Sequence, residues 1–292
     1  MRESVHEGMD ALTVVTDQSA VANAPGVRKA NRELHSVGLG VMNLNGFLAK
    51  NKIPYESEEA RDFCRTFFAA MNYHSILASS VIAYEKAKTY KGPPEATYYE
   101  RSSFAGFEQS DYYTGVYFDK YINEDFTPRT EKIREVFVNA GIDVPGKSDW
   151  EFLRAQVRSY GLYHAYRLAI APTQSISYIQ NATSSVMPIV EHIETRTYAN
   201  ATTFYPMPYL SPETQWVYKS AYNIDQFKLI DLIAEIQPHC DQGISTVLHV
   251  NSDVTTRDLA RLYVYAHHRG LKSLYYTRTK RLSVEECTSC AV

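Results

Sequence analysis

Residues 243–279 read GISTVLHVNSDVTTRDLARLYVYAHHRGLKSLYYTRT, and this stretch decides the fold class. GISTVLHV (243–250) is an apolar, β-prone run. The Thr-Thr-Arg-Asp at 255–258 is a helix opening, and the helical pattern it starts reaches Arg269. LKSLYYTRT (271–279) is a second β-prone run. Strand, helix and strand at this spacing predict a parallel pair joined by a right-handed crossover, because parallel neighbours need a long returning connection. The second half of the chain is therefore predicted to be α/β and barrel-like.

Working outward, YHAYRLAIAP (163–172) is a further β-prone run, stopped by Pro172 and followed by TQSIS (173–177). Toward the N-terminus the pattern becomes helical. A helix is predicted within residues 1–31, ending near Ala24-Pro25-Gly26, and a glycine-interrupted, closely packed helix over 34–48. The longest helical signal runs over 57–90, with Ser57 as the cap, Glu58 and Glu59 behind it, and Phe63, Phe67, Met71 and Leu77 on one face. Residues 89–113 read as a long loop, and helices are expected at 129–140 and 148–160, the second capped by Ser148 and Asp149. These signals divide the chain into a mainly helical region (1–160), an α/β region (161–280) and a mobile tail (281–292) without an apolar period.

Composition narrows the function classes. The 292 residues are 45% hydrophobic with a formal net charge of −3, which leaves ample material for a core and excludes a strong electrostatic footprint for nucleic acid or an anionic membrane. No apolar run is long enough to span a bilayer, and the start lacks a signal peptide's apolar segment, so a cytoplasmic protein is expected. Four cysteines and 23 tyrosines stand out. Cys64 and Cys240 read as small buried thiols.

Three constellations could carry chemistry. Pro172, Thr173, Gln174, Ser175 and Ile176 follow a predicted strand; hydroxyls and free amides there would cradle a phosphate, especially if Ser177 begins a helix. A hydroxyl-rich turn that merely caps a helix is the plainer alternative. Tyr275 and Tyr276 lie in a strand predicted to be mostly buried. Strand neighbours point to opposite faces, so stacking their rings needs a departure from ideal geometry, whereas an ordinary core-plus-edge pair does not. Cys287 and Cys290 form a C-x-x-C pair on the acidic tail, suited to disulfide exchange. Half a zinc site is the rival, but no second pair completes four ligands. His267-His268 reads as solvated at a helix end, His239-Cys240-Asp241 as structural, and 120–134 as a charged face.

LHSVGLGVMNLNGFL (34–48), LAIAPTQSISYIQNATSSVMPIVEHIETRTY (168–198), HCDQGISTVLHV (239–250), TTRDLARLYVYA (255–266), GLKSLYYTRTK (270–280) and VEECTSCAV (284–292) together resemble the C-terminal part of the class Ib ribonucleotide reductase large subunit. The resemblance is nearest to actinobacterial versions, and a phage-encoded copy is in keeping with it. It implies the C-terminal half of a ten-stranded α/β barrel, with a helical N-terminal region and a flexible tail. It also implies reduction of ribonucleoside diphosphates to deoxyribonucleoside diphosphates by radical chemistry. On the matching motifs, Pro172, Thr173, Gln174, Ser175 and Ile176 would hold the substrate diphosphate, Tyr275 and Tyr276 would relay a radical, and Cys287 and Cys290 would re-reduce an active-site disulfide.

No cofactor would be bound directly. A dimanganese or diiron tyrosyl radical is expected in a partner small subunit, and a thioredoxin or glutaredoxin-like protein would serve as reductant. No residue matches the family's finger-loop asparagine, thiyl cysteine and glutamate, its active-site disulfide cysteines or its specificity-regulating nucleotide site. The chain accordingly reads as a split or truncated C-terminal piece that needs a separate N-terminal half and is catalytically silent alone. A non-catalytic remnant that binds the small subunit or a nucleotide is the alternative.

Overall fold

The computed structural model describes residues 1–19, 23–198 and 201–280. The helical portion opens with α1 (Arg2–Gln18), α2 (Pro25–Leu34) and the short α3 (Leu44–Lys50), and its spine is α4 (Glu58–Lys88). The Ser57 hydroxyl accepts from the Ala60 amide as the sequence predicts, with Glu58 and Glu59 in the first turn and Lys86 and Lys88 in the last, each sign complementing the helix dipole. This helix is buried around most of its circumference. Phe63, Cys64, Phe68 and Met71 pack into one apolar cluster, while Ala69, Tyr73, Ile76 and Leu77 pack into another.

The second cluster is closed by α5 (Tyr98–Ser102), α6 (Asp111–Thr114), α7 (Val116–Asn123) and α9 (Lys147–Tyr160), with Phe107, Phe118, Trp150 and Leu153 inside; α8 (Glu131–Asn139) adds Ile133 and Phe137 to the first. Asp62, buried in α4, fixes the approach to α8. Its carboxylate accepts from the Arg129 and Thr130 amides and from the Thr130 hydroxyl, and Arg65 lies 3.3 Å away.

Four sequence expectations for this half change. Pro25 does not end a helix but opens α2, where its missing N–H is harmless. Residues 34–48 are not one helix: Leu39 forms a parallel bridge with Leu168, and helix begins only at Leu44. The glycines there serve close backbone approach, since a Cβ on Gly40 would lie 2.4 Å from the Ala169 carbonyl oxygen. Helix α9 starts at Lys147, with the Gly146 amide donating to the Asp149 carboxylate, so Ser148 is not its cap. The loop expected over 89–113 contains α5 and α6.

The remaining elements are α10 (Gln174–Ile179), β1 (Ile193–Tyr198), β2 (Ala201–Pro206), α11 (Gln226–Ile236), β3 (Val247–Asn251), α12 (Thr256–His268) and β4 (Tyr276–Lys280). Strands β3 and β4 are parallel and connected through α12, whose cap is the Thr255 hydroxyl accepting from the Asp258 amide. This is the unit predicted from 243–279. Parallel bridges Leu39–Leu168 and Ile170–Ile244 extend the order to 39, 168–170, 244–251 and 276–280. Among the described residues that is a four-segment parallel array. Strands β1 and β2 form a separate antiparallel hairpin that the sequence reading does not anticipate. Its threonine-rich pattern carries no apolar alternation.

Candidate functional site

The array delivers residues 171–177 to one end of the sheet. Strand segment 168–170 is held on the 240–245 segment: the Gln242 amide donates to the Leu168 carbonyl, the Ser245 amide to the Ile170 carbonyl, and the Cys240 thiol also to Leu168. Thr173 then turns left-handed, with φ of 52°, and its hydroxyl accepts from the Ser185 amide at 2.7 Å. Helix α10 starts at Gln174, so Ser177 does not open it. Ser177 is buried, bonded to the Gln174 carbonyl at 2.7 Å and to the Ser184 hydroxyl at 2.9 Å. Thr173 and Ser177 thus hold the turn, while the leading amides of α10 lack intrahelical partners. Gln174, Ser175 and Ile176 are exposed, and Pro172 and Thr173 half-buried.

Pro172 and Gln174 line a cavity of about 340 Å³. Part of its lining comes from the β3–β4 register, which pairs Val247 with Tyr276 and His249 with Arg278. Alternation of strand side chains puts all four on one face, where Val247 lines the cavity and also joins the apolar cluster that holds Leu248 and Val250. Arg278 contributes a cation, and Glu191 and Glu194 also line the cavity. His249 is held neutral: burial pushes its pKa down to about 4, with Arg278 a smaller contributor. Its amide donates to the Gln226 side chain, and its ring meets Tyr222 edge-on.

The rings of Tyr275 and Tyr276 have centroids 4.8 Å apart and planes inclined by 59°. They are 58% and 40% exposed rather than mostly buried, because β4 is the edge of the described array. Tyr275 lies just before β4, its amide donating to the Thr246 carbonyl, so the pair straddles a strand start where ideal alternation is relaxed. Tyr276 shares the cavity with Pro172 and Gln174; Tyr275 is outside its lining.

Cys287 and Cys290 lie outside the described residues. Cys64 and Cys240 are buried free thiols, as expected. Burial pushes the Cys64 thiol well up and Cys240 up to about 11, which disfavours the reactive thiolate at both. Among the described residues, no group of three or more His, Cys, Asp and Glu side chains could hold a metal ion.

The sequence reading missed Ser184, Ser185, His249 and Arg278, which face the cavity only through register and chain reversal. It also missed the clamp behind the turn. The Asp241 carboxylate accepts from the Arg167 and Leu168 amides, from the Arg167 guanidinium at 2.8 Å and from the Tyr112 phenol at 3.3 Å. Arg167 is fully buried. The structural reading of His239-Cys240-Asp241 agrees with this packing.

The geometry can be set beside known proteins. The profile of the family described as "Ribonucleotide reductase, barrel domain" matches residues 1–277. The ribonucleoside-diphosphate reductase subunit alpha of Bacillus subtilis (strain 168) is 49% identical over 292 residues, covering 100% of this chain and 39% of that relative. The ribonucleoside-diphosphate reductase NrdEB subunit alpha of the same organism and its counterpart from Bacillus phage SPbeta are each 50% identical over 289 residues, covering 99% of this chain and 25% of the relative. The chain therefore spans well under half the length of these relatives. With the glycine-lined strand contacts, the hydroxyl-rich turn and the tyrosine pair all inside the matched region, the chain belongs to the ribonucleotide reductase barrel-domain family.

Proposed function

We propose that this chain supplies the part of a ribonucleoside-diphosphate reductase large subunit that grips the substrate diphosphate and passes a radical equivalent toward the reacting sugar. One observation carries the reading: Pro172 and Gln174 of the turn and Tyr276 of the tyrosine pair line the same cavity. Orphan amides at a helix start attract an anion, and Arg278 in the cavity lining adds positive charge. Tyr275 and Tyr276 are in ring contact, so a phenoxyl on one can take an electron and a proton from the phenol of the other.

A partner small subunit, through a dimanganese or diiron tyrosyl radical, supplies the oxidising equivalent when bound. On this reading Cys287 and Cys290 give two electrons and two protons to an active-site disulfide, becoming a disulfide themselves. A thioredoxin or glutaredoxin-like protein then restores them. The thiyl cysteine and that active-site disulfide match no residue of this chain, so on this reading they belong to the N-terminal part of a large subunit, which would also close the barrel. The setting is cytoplasmic, without a role for nucleic acid; among the described residues no helix is long and apolar enough to cross a membrane.

The test is reconstitution. The chain is combined with an N-terminal half of a relative's alpha subunit, a radical-bearing small subunit and a thioredoxin, and deoxyribonucleoside diphosphate is measured. Activity should appear only in the mixture and vanish in Tyr275→Phe and Tyr276→Phe. Turnover by this chain alone would overturn the assignment of the thiyl cysteine to the N-terminal part, and full activity in both variants would overturn the relay.

A further inference from the structure

The tyrosine excess is only partly used by the site above. A second aromatic line runs through the helical half, distinct from Tyr275 and Tyr276. Tyr112 and Tyr117 have ring centroids 4.2 Å apart, Tyr117 and Tyr121 5.8 Å, Tyr121 and Trp150 4.1 Å, and Trp150 and Tyr73 5.1 Å. The middle of the line is sealed, with Tyr121 3% and Trp150 1% exposed. Its ends border cavities: Tyr112 and Tyr117 beside Cys240 and Lys272, and Tyr73 beside His74 and Asp149.

Tyr121 differs from the other members in its polar surroundings. Its hydroxyl lies 3.0 Å from Nδ1 of His239, which is 2% exposed, and 3.3 Å from the Pro238 carbonyl. The Asn72 side-chain amide donates to the same hydroxyl at 3.0 Å and to that of Tyr117 at 2.9 Å. The Tyr121 ring is stacked on Trp150 at an interplanar angle of 17°. A phenol that loses an electron becomes strongly acidic and must shed its proton, which in a dry interior requires a base already in place. Burial keeps His239 neutral, its pKa pushed down to about 3 with smaller contributions from Lys120 and Arg65. The same burial disfavours the imidazolium, so only a donor as acidic as an oxidised phenol drives a proton onto that ring.

We infer that Tyr121 is a site of reversible one-electron oxidation, with His239 Nδ1 as its proton acceptor and Trp150 as its neighbour for onward transfer. A one-electron oxidant, such as a thiyl or phenoxyl radical, takes one electron from the ring. The phenolic proton crosses to Nδ1, leaving a neutral phenoxyl and an imidazolium. The return step brings one electron from Trp150 and the proton back from His239, restoring Tyr121 and moving the electron vacancy to the indole. The line is thus a drain that carries a stray oxidising equivalent through the helical half, and it is independent of the reductase reading.

The experiment is flash oxidation of the intact chain by photogenerated tris(bipyridine)ruthenium(III), with tyrosyl radical followed by transient absorption and electron paramagnetic resonance. In the wild-type chain a tyrosyl radical should form first and an indole radical should grow in as it decays. Tyr121→Phe, which retains the ring stack, should lower the yield of both several-fold. His239→Gln should lower the yield several-fold and abolish the deuterium isotope effect on radical formation. Tyr209→Phe, at an exposed tyrosine off the line, should change neither. Unchanged radical yields in Tyr121→Phe, or an equal loss in Tyr209→Phe, overturn the inference. If circular dichroism shows Tyr121→Phe misfolded, His239→Gln decides by the same yield and isotope readouts.

Discussion

Helix α4 and strand β4 satisfy their surroundings in opposite ways. Around α4 the chain closes on itself: Asp62 and Arg65 are hydrogen-bonded, and two apolar clusters cover its faces. At β4 the chain has one strand neighbour, and its side chains from Tyr276 to Lys280 are largely exposed. The cavity, the turn and the tyrosine pair gather at the open side. Reacting groups need access to a ligand or partner, whereas a scaffold gains from excluding water, so stability and chemistry separate in space.

The largest effect on that contrast is expected where the closed side supports the open one. Asp241→Ala leaves the buried Arg167 without its carboxylate, and breaking such a pair costs about 3–5 kcal/mol. Urea denaturation should show this loss, and a change below about 1 kcal/mol would mean that the clamp is dispensable.

Acid should weaken the closed side next. His164 and His239 are held neutral, both pushed down to about 3 chiefly by burial, while their unfolded value is near 6.5. The unfolded chain therefore binds the extra protons. Stability is complete above about pH 6.5 and falls as pH drops toward the folded values, each histidine adding up to ~1.4 kcal/mol per pH unit. A urea midpoint flat between about pH 6.5 and 5 would break this expectation.

Smaller again is Ser57→Ala, which removes the α4 cap and should cost about 1 kcal/mol in the same assay. Least of all, Tyr276→Phe at the open edge should shift stability by no more than about 0.5 kcal/mol, although the same change should abolish reduction in the reconstituted complex. A large loss of stability there would blur the division between scaffold and site.

Much of the fold was legible because some signals are local. The α4 cap needs only Ser57 and its neighbours, and the strand–helix–strand unit at 243–279 shows in β-prone runs around a capped helix. Where the reading failed, the deciding partner was distant. Gly38 and Gly40 look like helix interruptions until Leu168–Ile170 is seen beside them. Strand β2 has no fully buried position to impose an apolar alternation.

Residue types in a fixed local order were enough to give the family and the parallel α/β character of the second half. It took the folded chain to bring Tyr276, His249 and Arg278 into one cavity with Pro172 and Gln174, and to let Asp241 reach back to hold Arg167. Strand register and long-range ion pairing set these contacts, and both join residues far apart in the chain.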